Sequence, residues 1–318
     1  MKKLVVMVNT CGEMMEKVLV LMATYNGEKY LQEQLDSLYA QKGVEVSIIV
    51  RDDGSSDGTI EILKKNSENH NIEWYANGHL GVKYGFYDLM EKAYASANTY
   101  IAFCDQDDVW DEDKLCTAVN AIKQNAQKNS DGDIPCLYYC GQNLVDSNLK
   151  FLSGHELNKS RTIYARFLLN DAAGCTEVFN FALLKEIVKY KPEYMLMHDA
   201  WIVKVCLGIG GNVIVDTNAH MSYRQHGGNV VGLKHDLVSK IKTAIYYINE
   251  QDVESQMKEL VKGYDKSLTS DYKEIVNDVL NYKKSSKSRK RLLNKDKFFY
   301  GERGLQLVYW LKVMLGKL

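Results

Sequence analysis

Proline is nearly absent from this 318-residue chain. Its only two are Pro135 and Pro192, so no proline-rich linker divides it into tethered parts. No apolar run reaches the ~20 residues that a membrane-spanning helix needs. Residues 1–8 open with lysines, but the apolar stretch behind them is too short for a secretory signal. Excess charge of one sign is also missing: 40 Lys+Arg stand against 41 Asp+Glu. There is thus no global electrostatic case for a nucleic-acid partner. The seven cysteines include no Cys-x-x-Cys pair, and Cys104, Cys140, Cys175 and Cys206 lie inside apolar runs. Buried free thiols in a reducing cytosol fit that pattern better than disulfides or zinc. What is present, 46% hydrophobic and 25% charged residues, is ordinary globular composition. Met15-Glu16-Lys17-Val18 reads as a natural start into a first strand, so residues 1–15 are expected to be an N-terminal extension.

Residues 18–23 form a compact apolar run and predict a central strand. Thr24-Tyr25-Asn26-Gly27 is a turn, and Tyr30, Leu31, Leu35 and Leu38 then recur at helical spacing. A β-branched strand at 44–50, a helix at 60–67, a strand at 72–75 and a helix at 84–97 follow. A strand ending at Asp105 and a helix over 113–127 complete a β-α-β-α-β-α-β order. That order argues for a mostly parallel sheet with helices on both faces. Beyond residue 130 the pattern is mixed. Strands are expected at 136–140 and 175–180, helices at 164–169, 182–190 and 199–207, and a strand pair at 212–216 and 219–224. From about residue 235 the chain reads as helical and polar, with a basic run over 283–291.

Chemistry concentrates where strands end. Asp105-Gln106-Asp107-Asp108 follows an apolar run and precedes a helix start. Carboxylates so close repel by roughly 4 kcal/mol per pair at intermediate dielectric. A hard divalent cation, Mg²⁺ or Mn²⁺, relieves that cost. The alternative is a solvated acidic helix start capped by Asp108 or Asp111. Asp52-Asp53-Gly54-Ser55 ends a second strand. Its carboxylates suit a ribose hydroxyl or a base N–H, or else a capping turn into the next helix.

Thr24-Tyr25-Asn26-Gly27, Asp52-Asp53-Gly54-Ser55-Ser56-Asp57-Gly58-Thr59 and Asp105-Gln106-Asp107-Asp108-Val109-Trp110, in this order, resemble the inverting glycosyltransferases of family 2. Asp-Gln-Asp-Asp-x-Trp is closest to bacterial rhamnosyltransferase-like members. The resemblance implies a GT-A fold, a Rossmann-like α/β sheet flanked by helices, over residues 16–232. Residues 233–318 are then a helical C-terminal appendage. It implies that Thr24, Tyr25 and Asn26 line the nucleotide pocket, with Tyr25 against the base, and that Asp52 or Asp53 holds base or ribose. Asp105 would contact ribose or metal, Asp107 would bind the metal bridging the diphosphate, and Lys83 would reach the diphosphate. The family usually has Asn where Gly85 stands. Met197-His198-Asp199-Ala200-Trp201 matches the segment that bears the catalytic base, which makes Asp199 the base and His198 and Trp201 acceptor-side candidates. Residue by residue the alternatives are a helix cap for Asp199 and core packing for Trp201. Tyr223-Arg224-Gln225-His226 matches a loop in which Arg224 would bind diphosphate and His226 would complete the metal shell. Gly174-Cys175-Thr176 resembles the segment that shapes the acceptor or sugar pocket, with Cys175 packing.

The implied reaction is inverting transfer of a sugar, L-rhamnose from dTDP-L-rhamnose or a hexose from a UDP-sugar, to a glycan or lipid-linked glycan acceptor. A nucleotide-sugar-binding scaffold without turnover and an Asp-x-Asp phosphatase are the readings from other classes. The second leaves the loop at Asp52 unexplained. The resemblance implies a cytoplasmic enzyme, peripheral at the inner face of the plasma membrane. The basic run and the apolar residues after Phe298 suit an interfacial helix. The alternative is that they dock on the catalytic domain or a second copy.

Overall fold

A computed structural model describes residues 15–96, 100–128, 134–155, 157–226 and 252–318. The expected extension before Met15 therefore lies outside the described residues. The first half follows the expected alternation: β1 (Glu16–Thr24), α1 (Leu31–Tyr39), β2 (Val44–Asp52), α2 (Thr59–Ser67), β3 (Ile72–Ala76), α3 (Gly81–Tyr94) and β4 (Tyr100–Cys104). β2 and β4 flank β1, and β3 lies outside β2, all parallel. Side chains alternate along a strand. Val18, Val20 and Met22 therefore pack with α1 on one face, and Leu19 and Leu21 pack with α3 on the other. Both rows are buried, as a parallel sheet covered by helices requires.

The second half departs from a simple parallel sheet. β5 (Val109–Trp110), α4 (Lys114–Lys128), β6 (Cys136–Val145), β7 (Phe151–His155), α5 (Ile163–Leu168), a 3₁₀ turn at Gly174–Thr176, β8 (Glu177–Asn180), α6 (Phe181–Ile187), α7 (His198–Gly208) and β9 (Asn212–Arg224) follow. The sheet order is β3-β2-β1-β4-β8-β6-β9-β5, with β7 beside β6. β8 is antiparallel to both β4 and β6, while β9 is parallel to β6. The expected strand pair at 212–224 is one continuous strand. Its turn-like Asp216-Thr217-Asn218 is absorbed as a register shift against Cys140 and Gly141, with Asn218 N–H donating to Asp216 Oδ1 at 2.9 Å. β5 pairs antiparallel with β9, Val109 opposite Ser222. That pairing folds the end of β9 back over the acidic loop.

The C-terminal helices α8 (Val253–Tyr264), α9 (Ser270–Asn281), α10 (Ser286–Leu292) and α11 (Arg303–Leu315) share the core of the sheet domain. Leu260, Tyr264 and Leu268 pack against α7 and its neighbours. Gly208 admits them, since a Cβ there would lie 2.8 Å from Leu268 Cδ2. Tyr264 OH donates to the Glu186 carbonyl at 3.0 Å, and Thr269 N–H donates to the Gly208 carbonyl at 2.9 Å. Farther along, Thr162 Oγ1 donates to the Lys297 carbonyl. Among the described residues no helix is long and apolar enough to cross a membrane.

Because this packing is continuous, the C-terminal helices are expected to unfold together with the sheet. Leu260 is fully buried, so Leu260→Ala should cost ~2–5 kcal/mol. In urea the midpoint should fall while a single transition is kept. Two separated transitions would show that the helices melt on their own.

Candidate active site

The loops after β1, β2 and β4 meet at one edge of the sheet, because Thr24 is level with Asp52 and Met22 with Cys104. Asp52 is 1% exposed. It accepts hydrogen bonds from Thr24 Oγ1 (2.9 Å), Gly54 N (3.0 Å), Ser55 N (2.8 Å) and Ser55 Oγ (2.6 Å). Thr24 and Asp52 thus fasten the loop to the strand. Asn26, at φ 48°, likewise ties two loops: its Oδ1 accepts from Ser56 N and its N–H donates to Ser55 Oγ, both at 2.9 Å. Asp53 differs. It pairs with Arg51, accepts from the N–H groups of Leu80 (3.0 Å) and Gly81 (2.8 Å), and lies 2.8 Å from His79 Nδ1. Burial pushes its pKa up, but those N–H groups and Arg51 outweigh it and hold the carboxyl below its usual value. Tyr25 is 51% exposed, with its ring 5.4 Å from that of His79. Its backbone is clasped by the Gln106 amide, N–H to Oε1 at 2.9 Å and Nε2 to the carbonyl at 3.1 Å. Tyr25 and His79 therefore form one accessible edge, with Asp53 buried behind it.

Behind that edge the acidic loop is anchored from below. Ligand atoms of Asp105, Asp108 and Cys175 lie within 4.8 Å of one another. Asp108 is fully buried; its Oδ1 accepts from Arg224 N–H at 3.0 Å and its Oδ2 has no hydrogen-bond partner. Burial, reinforced by the charges of Asp107 and Asp199, pushes Asp105 up to about 7. Burial and its acidic neighbours raise Asp108 further. The compensating cation is Lys114, fully buried on α4. Its Nζ donates to the Cys175 carbonyl and sits 3.1 Å from the Trp110 ring centre. Burial lowers its pKa, opposed by the Cys140, Cys175 and Cys104 thiols and by Asp108.

Asp107 faces outward, with Oδ2 2.7 Å from His226 Nε2. Neighbouring ligands of an octahedral ion held at ~2.1 Å sit about 3 Å apart, so this pair has the spacing of two ligands of a divalent metal, while Asp105 clusters with Asp108 and Cys175. Arg224 is buried at the end of β9. It is 1% exposed; its guanidinium donates to the carbonyls of Asp107 (2.7 Å) and Ser147 (2.8 Å), pairs with Glu33 at 2.5 Å, and lies over the Tyr30 ring. It braces the acidic loop.

Asp199 sits in the first turn of α7, whose N-cap is Met197. It accepts from Ala200 N–H and from Gly174 N–H at 3.2 Å. Burial pushes its pKa up to about 6, against the pull of those N–H groups and Lys204. Its charge in turn raises Asp105. The 3₁₀ turn makes this arrangement: Gly174 holds Asp199, and Cys175 lies between Asp105 and Asp108. His198 does not orient Asp199. Its ring is buried, stacked 4.0 Å from Phe86 and edge-on to Phe103, with neither nitrogen bonded. Burial keeps it neutral, its pKa lowered to about 3. Trp201 is core, 1% exposed, not a sugar platform. Lys83 lies on an aromatic shelf, its ammonium 5.5 Å from the Tyr84 ring and 5.9 Å from that of Tyr194. Gln106, Lys114 and His79 were not singled out by sequence reasoning. The polar residue set between aspartates was the one signal for Gln106, and nothing local marks Lys114.

The profile for Glycosyl transferase family 2 matches residues 19–189, more than half of the chain. The chain belongs to glycosyl transferase family 2. It is 30% identical over 232 residues to dTDP-rhamnosyl transferase RfbG of Shigella flexneri, covering 70% of this chain and 77% of that protein. It is 26% identical over 190 residues to an uncharacterized glycosyltransferase of Rickettsia typhi, 57% of this chain and 56% of that one. Among solved structures, S. aureus TarS 1–349 in complex with UDP-GlcNAc superposes with a TM-score of 0.58 at 17% identity, over 93% of this chain and 79% of TarS 1–349. The Pyrobaculum calidifontis mannosyltransferase PcManGT, in complex with GDP-Man and Mn²⁺, gives 0.51 at 13% identity, over 95% and 88%. These likenesses make the fold GT-A-like, as expected. Asp199, Arg224 and His226 lie beyond the family-matched span, so in this glycosyltransferase family member their juxtaposition with Asp105 and Asp107 is visible only in three dimensions.

Lys114 makes a testable case. Lys114→Met leaves the buried carboxylates uncompensated and should destabilise by about 3 kcal/mol. The loss should be larger at about pH 8 than at about pH 5, because Asp105 holds its proton at the lower pH and needs no cation. Equal losses at both pH values, read from urea midpoints, would disprove the countercharge role.

Proposed function

We propose that this family 2 glycosyltransferase moves L-rhamnose from dTDP-L-rhamnose, with inversion, to a glycan or lipid-linked glycan on the cytoplasmic side of a membrane. One observation carries the enzymatic part: Asp199, in the first turn of α7 and held by Gly174 N–H, is raised to about 6 by burial, and its charge acts on Asp105. A carboxylate poised near neutral pH is matched to general-base work. A scaffold without turnover needs no such base, and family membership removes the phosphatase reading.

Asp199 accepts the proton of the acceptor hydroxyl as that oxygen bonds to the anomeric carbon and the bond from carbon to the diphosphate oxygen breaks. The nucleoside diphosphate leaves from the opposite face, hence inversion. Tyr25 stacks on the base, with His79 and Asp53 at its edge, and Lys83 reaches toward the diphosphate. Asp107 and His226, with Asp105 adjacent, would hold a divalent ion, Mg²⁺ or Mn²⁺. Such an ion supplies Lewis-acid neutralisation of the leaving diphosphate. The rhamnosyl donor rests on the likeness to RfbG, a dTDP-rhamnosyl transferase by name. A UDP-sugar is the second reading, favoured by the UDP-GlcNAc complex of the TarS neighbour.

Asp199→Asn should slow transfer by ~10²–10⁴-fold while donor binding persists. The wild-type rate should rise with pH through about 6, because only the ionised carboxylate accepts a proton. Asp107→Ala should instead lose metal-dependent donor binding. Near-normal turnover by Asp199→Asn would remove the base assignment. A donor screen by nucleotide release tests the substrate: turnover of dTDP-L-rhamnose is expected, and exclusive turnover of a UDP-sugar would replace it.

A further inference from the structure

The C-terminal helix α11 (Arg303–Leu315) has two unlike faces. Tyr309 and Val313 are fully buried against the rest of the chain, and Tyr309 OH donates to the Leu292 carbonyl at 2.8 Å. On the other side Leu307, Leu311, Met314 and Leu315 are between 49% and 67% exposed. Their spacing of four, three and one residues keeps them on one helical stripe. Between Gly304 and Leu311 the helix has no charged residue at all. An apolar stripe of this kind on a surface needs an occupant.

Charge selects the occupant. Residues 283–318 carry eleven Lys and Arg against two acids, Asp296 and Glu302, in a chain whose net charge is −1. Some of these cations are engaged internally, Arg291 by Asp278 and Lys283 by Glu254. Among the described residues, Lys284, Lys287 and Lys290 are exposed and in no ion pair, as are Arg303 and Lys317 at the two ends of α11. A two-fold contact between copies would set this cationic segment against itself. An anionic leaflet satisfies the leucine stripe and the cations together.

We propose that the outer face of α11, with the lysines of α10 (Ser286–Leu292) and of the turn before it, is a docking surface for an anionic lipid leaflet. The helix lies in the interface and the sheet domain stays in water. The surface would bring the site to a membrane-borne acceptor, but the docking does not depend on the donor or on transfer.

The test is co-sedimentation of the full chain with phosphatidylcholine vesicles that contain or lack phosphatidylglycerol. Wild type should sediment with the anionic vesicles only, and less as salt rises. Lys287→Ser with Lys290→Ser should weaken partitioning roughly 25-fold, about fivefold per cation. Leu311→Glu with Met314→Glu should abolish it. Both double variants change exposed side chains, and circular dichroism with thermal melting verifies their fold. Wild type left in the supernatant, or either double variant binding like wild type, would overturn the proposal. So would a wild-type dimer in sedimentation velocity that the leucine variant converts to monomer, which would give the face to a second copy. Donor turnover measured in parallel keeps this outcome separate from that of the transferase reading.

Discussion

Burying several carboxylates at the end of a strand is the constraint around which this molecule is arranged. Asp108 is fully buried and Asp105 stands beside it. In water such charges cost little; in a dry interior each unpaired one costs several kcal/mol. The chain answers with one cation, Lys114, placed under the loop by the first turn of α4 and anchored by Trp110 and the Cys175 carbonyl. A second device is mechanical. Arg224 hooks the Asp107 carbonyl with its side chain and Asp108 with its backbone, so the last strand and the acidic loop hold each other in place.

From that anchoring the remaining geometry follows. Two residue pairs between β5 and β9 suffice to bring His226 to Asp107. The antiparallel insertion of β8 between β4 and β6 puts the Gly174–Thr176 turn against the acidic loop. That turn then donates to Asp199 from a different helix. Three segments far apart in sequence thus share one space, and each is held by groups that are themselves buried. Pre-organisation of this kind avoids reorganising charges when a diphosphate forms. Behind Asp199 lies Glu177, fully buried with both oxygens unbonded. Its environment, like that of His198, favours the neutral form.

The C-terminal helices supply stability as well as a surface. Their aromatic residues continue the core that begins at Leu19 and Leu21. One face of α11 is covered by Leu292, Phe298 and Tyr300 of the same C-terminal segment. The other face was left apolar, and helical periodicity alone could not have told the two apart, because both carry apolar residues at helical spacing.

Strands β1 to β4 and their helices were legible from sequence because each is a contiguous apolar run bounded by turn residues, the pattern that local physics dictates most strongly. The three motif loops were legible for the same reason, as they follow those runs. β5 and β7 were not: one is two residues long and the other largely exposed, so neither carries a periodic signal. Nor did the sequence separate the loop-building Thr24, Asn26 and Asp52 from the accessible Tyr25, since all four are residues of the same turns. Composition likewise could not distinguish a lysine buried under carboxylates from one in solvent, or a histidine stacked in the core from one beside Asp107. Side-chain chemistry, the succession of elements in the first half and the positions of the acidic loops are local properties, and the sequence determined them. Which of those groups meet, which are buried and which face of a helix is left uncovered depend on long-range pairing and packing, and only the tertiary structure decided them.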